Sequence, residues 1–409
     1  MTVTRIEAQR LIPGRGEVID DATLILDGGT IAFAGASADA PVTEDADVVA
    51  TDTVMPGLWE CHGHFIGTYT ANIAEVHTLR PQLAAMRVTA DAHRALMAGF
   101  TSVREMGGMG TFLARAIEEG QVTGPNVYAS GSMLSMTAGH GDEHGMDLDI
   151  ARISLARQWG EDNICDGPDE CRAGVRRMLR LGAKVIKVHA SGGVMSELDD
   201  PVLPQFSAQE LEAIVDEATR MERLVAAHCH GKRGIMAALD AGVRTIEHGT
   251  YLDEEAADAM IEAEAILVPT RWILRYLMSE GEKKGMPEYA RVKGEIASSR
   301  HADAIALAVG KGVKIALGTD IWATGLWGKN AEELALMVEV GMTPLQAIES
   351  ATANGPDTLG PQAPKSGQLL EGYDADVICV AGDPSVDVAV LADPDNVTRV
   401  FKGGALVKG

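Results

Sequence analysis

Two regimes of hydrophobic patterning divide the chain. At both ends, apolar and polar residues alternate over short runs separated by turn residues. Positions 5–12 and 22–26 are β-rich, Asp27-Gly28-Gly29 signals a turn, and 30–34 alternates. Near the other end, Gly372-Tyr373-Asp374-Ala375-Asp376 leads into an apolar run at 377–380. Residues 397–401 then run into a Gly403-Gly404 turn and a last strand at 405–407. Two β-rich ends around a different middle predict one small composite β-sandwich domain, residues 1–55 plus 366–409.

The middle, residues 56–365, alternates short apolar runs with stretches of helical period. That is the pattern of βα units on a parallel sheet. Eight candidate strands end near Cys61, Arg104, Ser130, His189, His228, Glu247, Pro269 and Gly318. Amphipathic stretches at 209–220, 234–241, 254–264 and 331–340 fill gaps between them. The predicted fold class is α/β, a (β/α)8 TIM barrel, with its chemistry at the C-terminal ends of the strands. The segment 272–300, rich in Arg, Lys, Glu and Met, reads equally as a helical lid over the barrel mouth and as a plain solvated helix.

Composition narrows the partners. With 409 residues, 46% of them hydrophobic, the chain can fill a barrel and an accessory domain. It carries 35 basic and 59 acidic residues, a net charge of −24, which argues against nucleic acid and anionic membranes. No apolar run reaches membrane-spanning length, and no signal core follows Arg5. The five cysteines lack any CxxC and read as free thiols of a reducing cytoplasm. The expectation is a cytoplasmic homo-oligomer that acts on a small molecule.

Metal-ligand residue types gather at the candidate strand ends. The first strand runs into Trp59-Glu60-Cys61-His62-Gly63-His64, and side chains two apart on a strand share a face. A fourth strand, 183–189, carries Lys187 inside an apolar run, where an ammonium is costly. Two readings of Lys187 stand open: it pairs with a carboxylate, or its amine has reacted with carbon dioxide to give an anionic carbamate. The fifth strand ends in His228-Cys229-His230, the sixth in Glu247-His248-Gly249, and the eighth in Thr319-Asp320. A single histidine at a strand end is usually a satisfied core residue. Four strands that end this way in one barrel are not explained so easily.

This order resembles the amidohydrolase superfamily of binuclear metal hydrolases. Finer stretches are similar to its branch of imidazolonepropionase-like proteins, Xaa-Pro dipeptidases and ochratoxin-type amidases. They are residues 56–64, Thr101-Ser102-Val103-Arg104, Lys187-Val188-His189-Ala190-Ser191-Gly192-Gly193, Ile246-Glu247-His248-Gly249 and Leu317-Gly318-Thr319-Asp320. The resemblance implies that His62, His64 and Asp320 hold one divalent ion and His228 and His248 a second, with carboxylated Lys187 and a hydroxide between them. Imidazole and carboxylate ligands point to zinc. It implies further that the bridging hydroxide attacks an amide carbonyl, while Asp320 takes the proton and passes it to the leaving nitrogen. The expected substrate is a dipeptide (Xaa-Pro or hydrophobic) or an N-acyl amino acid. A cyclic amide is the alternative. A barrel without chemistry is disfavoured, because every ligand position is filled.

Other residues are weaker candidates. His140, in the loop Thr137-Ala138-Gly139-His140-Gly141, reads as a catalytic substrate contact or as a solvated loop histidine. His230 reads, with His140, as a substrate-binding candidate for a substrate carboxylate, although several dipeptidases of the branch carry a tyrosine at that place. Ser191, Gly192 and Gly193 read as substrate-binding groups able to offer backbone N–H donors to a substrate carboxylate, or as a simple turn. Met133, Met136, Met195, Tyr69 and Trp322 are candidate pocket residues, with core packing the ordinary reading of the methionines. Arg104 and Glu105 read as a buried pair. His77, His93, His144, His189 and His301 read as structural.

Overall fold

The computed structural model describes residues 3–409. The chain opens with β1 (Val3–Leu11), β2 (Ile19–Asp27), β3 (Thr30–Ala36) and β4 (Asp47–Pro56). Then come β5 (Leu58–Thr68), β6 (Phe100–Glu105), β7 (Asn126–Ala129), β8 (Ile186–His189), β9 (Val225–Cys229) and β10 (Thr245–His248). β11 (Ile266–Val268), β12 (Lys314–Ile315) and β13 (Ile321–Ala323) precede the C-terminal strands β14 (Val377–Val380), β15 (Val397–Lys402) and β16 (Ala405–Lys408).

The strands of the two chain ends form one sheet, in the order β16-β15-β14-β4-β1-β2-β3. Its seam is β4, parallel to β1 on one side and antiparallel to β14 on the other. A small composite β-sandwich built from both chain ends was the expectation. Because β4 carries both ladders, the two ends instead share a single continuous sheet. Strand alternation lets this sheet serve two cores. Val377 and Cys379 pack with Ile6, Leu24 and Phe401, whereas Ile378 and Val380 join the large core of the central region.

The central region is a mixed α/β fold with two parallel sheets, β12-β11-β10-β9-β8 and β13-β5-β6-β7. Hydrogen bonds also run between these sheets. Leu134, beyond β7, accepts from His189 N at 3.0 Å and donates to Lys187 O at 2.9 Å. On the other flank, Cys61 N donates to Leu317 O at 2.8 Å and Asp320 N to His62 O at 2.6 Å. The expected helices form at Ala208–Thr219, Lys232–Asp240, Glu254–Glu262 and Glu332–Glu339. The first begins with a capping box, in which Ser207 and Glu210 satisfy each other's backbone N–H. Segment 272–300 folds as two packed helices, Arg271–Glu280 and Glu288–Lys311. Among the described residues, no helix is long and apolar enough to cross a membrane.

Two strands depart from the sequence reading. β5 does not stop near Cys61 but continues to Thr68, fully buried throughout. Its second half is held by β13 and by Phe65 stacked on Trp327, with ring centroids 4.1 Å apart. The β5–β6 ladder shifts register between Leu58 and Trp59 and again between Glu60 and Gly63. Strict two-residue alternation therefore does not run through β5. The eighth strand is paired only at Lys314–Ile315, and residues 316–320 continue irregularly, although Ala316 N still donates to Leu267 O at 3.0 Å.

The short strands sort their side chains cleanly. Ile186, Val188, Ala227, Ile246 and Leu267 face the helices, while Val185, Ala226, Ile266 and Val268 pack with Trp59 and Cys61 on the opposite, inner face. Lys187 and His228 share the inner face with Val185 and Ala226 by strand period. A Cβ on Gly63 would come within 2.5 Å of the Trp327 ring. Gly63→Ala should therefore destabilise the fold by about 1–3 kcal/mol through overpacking. Gly310, in the last turn of Glu288–Lys311 with nothing within 4 Å of an added Cβ, is the control. Gly310→Ala should stabilise by about 0.5–1 kcal/mol. Denaturant unfolding of the two variants checks both signs.

Candidate functional site

Seven polar side chains converge where the inner faces of the strands end: His62, His64, Lys187, His228, His230, His248 and Asp320. Two of them sit in left-handed backbone, His248 at φ 72° and Asp320 at φ 60°. Such strain in non-glycine residues is concentrated at functional sites. Ligand-type atoms of His228, His230 and His248 all lie within 4.8 Å of one another, as do those of His62, His248 and Asp320. Asp320 Oδ1 is 3.0 Å from His64 Nε2 and 3.6 Å from His62 Nε2. Lys187 Nζ is 3.5 Å from His62 Nε2.

A surrounding layer fixes the rings. His62 Nδ1 lies 2.6 Å from Glu247 Oε2, and His64 Nδ1 lies 2.8 Å from Gly107 O. An acceptor on Nδ1 places the proton there and leaves the Nε2 lone pair facing Asp320. His228 is held the other way round, with Nε2 3.1 Å from Gly192 O. Thr250 and Thr270 hydroxyls sit 2.7 Å from Nδ1 of His230 and His248. Burial, with the neighbouring Lys187 charge, brings His62 down to about 4, and burial brings His230 down to about 3. His228 and His248 are held well below the ordinary imidazole value for the same reason. These are neutral imidazoles, the form that binds a metal. Burial also lowers the Lys187 amine to about 8. Neutral imidazoles, a carboxylate and a reactive amine together fit a site for divalent cations.

Beneath this layer lies a buried ion pair. Arg104, fully enclosed, donates through Nη2 to both oxygens of Glu247, at 2.8 and 2.9 Å. It also reaches Thr245 Oγ1 at 3.0 Å and Cys61 O at 2.6 Å. The expected Arg104–Glu105 pair does not form. Neighbours on a strand point to opposite faces, and Glu105 turns outward toward Phe65 N and Gly110. Burial would raise the Glu247 pKa, but Arg104 and His62 hold it well below the carboxylate range. Glu60, also fully buried, is pushed up to about 7 by burial. It accepts from His62 N, Thr319 N, Thr319 Oγ1 and Asn330 Nδ2, tying β5 to the Asp320 segment.

The convergent groups open into two adjoining cavities. The inner, with an empty volume of about 560 Å³, is lined by the seven groups above together with Val194, Ile273, Leu274 and Leu277. The outer, about 950 Å³, has an apolar wall of Ile66, Ile73, Val76, Leu155 and Trp159. His140, His189, Met133, Met195 and Trp322 line both. His189, read as structural, thus faces the cavities, and His77 and His144 line the outer one. Met136 packs against the core instead, and Tyr69 is half exposed beneath the Arg87 guanidinium. Ser191, Gly192 and Gly193 line neither cavity. The expected anion-binding turn is already occupied, because Gly192 N donates to Leu203 O and Gly193 N to Asp199 Oδ2.

Sequence reasoning passed over Glu247, although it carries the same signal as Lys187, a charge inside a short apolar strand. Thr250, Thr270 and Asn330 gave no signal, because they lie in loops and each supports a partner brought near only by the fold. Removing the positive half of the buried pair should be costly. Arg104→Met leaves Glu247 unpaired and should cost about 3–5 kcal/mol. Arg104→Met combined with Glu247→Leu should recover much of that loss in denaturant unfolding.

Comparison with known proteins agrees with this geometry. The Amidohydrolase family model matches residues 53–407. Ochratoxinase from Aspergillus niger is 45% identical over all of this chain and 87% of its own length. Its crystal structure superposes with a TM-score of 0.93 at 43% identity, covering 100% of this chain and 96% of that one. A prolidase complexed with N-methylphosphonate-L-proline gives a TM-score of 0.92 at 33% identity, with full coverage of both chains. A Xaa-Pro dipeptidase with methionine in its active site gives 0.87 at 32%, again with full coverage of both. The chain is a member of the amidohydrolase family.

Proposed function

We propose that the protein is a metal-dependent hydrolase that cleaves an amide bond in a small substrate, a dipeptide (Xaa-Pro or hydrophobic) or an N-acyl amino acid. The observation that carries this reading is the convergence of neutral imidazoles, Lys187 and Asp320 at the floor of a cavity with an apolar outer wall. The relatives named for ochratoxin and for Xaa-Pro dipeptides support amide cleavage. The two parallel sheets are read as one closed (β/α)8 barrel, residues 56–365, supported by the hydrogen bonds between them on both flanks. Residues 1–55 and 366–409 would form the composite β-domain around the shared sheet.

His62, His64 and Asp320 would hold one divalent ion and His228 and His248 the other, with zinc favoured by the ligand types. When bound, the pair supplies an acidified water and polarises the amide carbonyl. Asp320 is the proton carrier. Its carboxylate takes the proton of the attacking water and delivers it to the leaving nitrogen, which makes the amine a competent leaving group. Glu247 and Gly107 keep the protons of His62 and His64 on Nδ1 during turnover. The apolar outer wall would receive the acyl or side-chain part of the substrate and exclude water from it.

Lys187 would act as a carbamate. Its amine attacks carbon dioxide, a C–N bond forms, one proton leaves, and the product is an anion. Two observations support this: the amine is brought down to about 8 by burial, and Lys187 has no ion-pair partner among the described residues.

Three measurements test the proposal. Metal content and activity should fall together in His62→Ala and His248→Ala, and full activity in metal-free protein would refute it. Lys187→Ala should be inactive and be partly restored by short carboxylic acids added with zinc, while intact-mass analysis of the folded wild type should show the mass of one carbon dioxide on Lys187. Hydrophobic dipeptides and N-acyl amino acids, ochratoxin among them, should be turned over, and longer peptides should not. Equal rates on longer peptides would show that the cavity does not bound the substrate.

A further inference from the structure

Thr270 stands at the start of a helix that it does not cap. It precedes the helix Arg271–Glu280 and sits in left-handed backbone, at φ 52° and ψ 45°. A β-branched side chain is costly there, because its branches crowd the backbone. A threonine at a helix start is ordinarily extended and turns its oxygen onto the N–H groups of the first turn. Thr270 makes no such bond. Its hydroxyl lies instead 2.7 Å from His248 Nδ1, and the residue is buried.

The N–H groups of that first turn are met from another helix. Glu333, fully buried in the first turn of the helix Glu332–Glu339, accepts from Arg271 N through Oε1 at 2.9 Å and from Trp272 N through Oε2 at 2.6 Å. Burial pushes Glu333 up to about 8, against the pull of these two donors and of the Arg271 charge. An acid buried so deeply is costly, and the two bonds offset that cost. The neighbouring Glu332 holds the same helix differently, accepting from the Trp272 indole N–H at 2.7 Å.

The cap and the strain depend on each other. Without Glu333, the first turn would need another acceptor. Thr270 could supply it by relaxing into extended backbone and turning its oxygen onto Trp272 N or Ile273 N. That turn would take the hydroxyl away from His248. The same helix carries Ile273, Leu274 and Leu277, which line the inner cavity.

We propose that Glu333 is a positioning residue for His248. It caps the cavity helix in place of Thr270, and so keeps the Thr270 hydroxyl on the imidazole and the three apolar side chains against the inner cavity. The consequence rests on the metal-dependent reading above: the ion assigned to His228 and His248 depends on a carboxylate that lines neither cavity.

Two measurements on the full-length chain test this. The first compares crystal structures of metal-free wild type and Glu333→Met. Thr270 should be left-handed in the wild type and extended in the variant, with its hydroxyl off His248. A left-handed Thr270 still on His248 in the variant overturns the proposal. The second is zinc affinity, measured by competition with a chromophoric chelator. Glu333→Met and Thr270→Val should each weaken one of the two ions about tenfold and leave the other unchanged. The double variant should lose about the same tenfold rather than about a hundredfold, because both changes remove one contact. Glu333→Gln, which keeps one of the two acceptors, should retain most of the affinity. Thr270→Ser, which keeps the hydroxyl, and Glu332→Gln should retain all of it. Additive losses in the double variant overturn the proposal. So does an unchanged affinity in Thr270→Val, even where Glu333→Met does not fold. If the wild type binds no zinc, the hydrolase reading fails, and the metal-free crystal structures still decide what Glu333 does.

Discussion

The ion pair between Arg104 and Glu247 is the constraint on which the rest of the site depends. It joins β6 of one parallel sheet to β10 of the other, with neither residue exposed. Burying two charges is costly unless their remaining hydrogen-bonding capacity is met. Here it is met by groups that matter elsewhere. Arg104 reaches the Cys61 carbonyl, one residue before His62, and Glu247 takes the Nδ1 proton of His62 itself. One carboxylate therefore sets the spacing of two sheets and the orientation of the first candidate ligand. Glu60 repeats the device on the other side, joining the backbone at His62 to the backbone just before Asp320.

The site is built in layers along the strands. Trp59, Val185, Ala226 and Ile266 form an apolar base, the charged pair lies among the strands, and the imidazoles and Asp320 close the end. The low dielectric that holds the imidazoles neutral is a property of this stacking, because their environment is protein on the side away from the cavity. The strained backbone at His248 and Asp320 is kept by hydrogen bonds on neighbouring atoms: His301 Nε2 lies 2.9 Å from His248 O, and Asp320 N donates to His62 O.

What the sequence disclosed follows from period. A strand with a two-residue repeat shows which side chains share a face, so Lys187 and the ligand-type residues at the strand ends were legible, as were the helices between them. Pairing between distant segments has no such signature. The single terminal sheet depends on β4 choosing both β1 and β14, and the length of β5 depends on β13, a three-residue strand without a pattern of its own. Arg104 has a carboxylate beside it in sequence, yet its partner is far along the chain, because adjacency on a strand means opposite faces. The contact between Asp199 and Lys293 was invisible for a related reason: one lies in a loop and the other on a helix, and only tertiary packing brings them together.

The seam strand β4 has a consequence for how the protein is made. Its outer ladder is completed by Val377–Val380, which leaves the ribosome long after β4 itself. The strand that follows it directly, β5, bears His62 and His64. Until β14 emerges, the strand leading into the first candidate ligands lacks one of its two neighbours and exposes an unpaired edge, a liability for non-local topologies. Nascent chains of this architecture would need that edge guarded until β14 arrives, and vectorial synthesis delays until then the full anchoring of the strand that leads into His62 and His64.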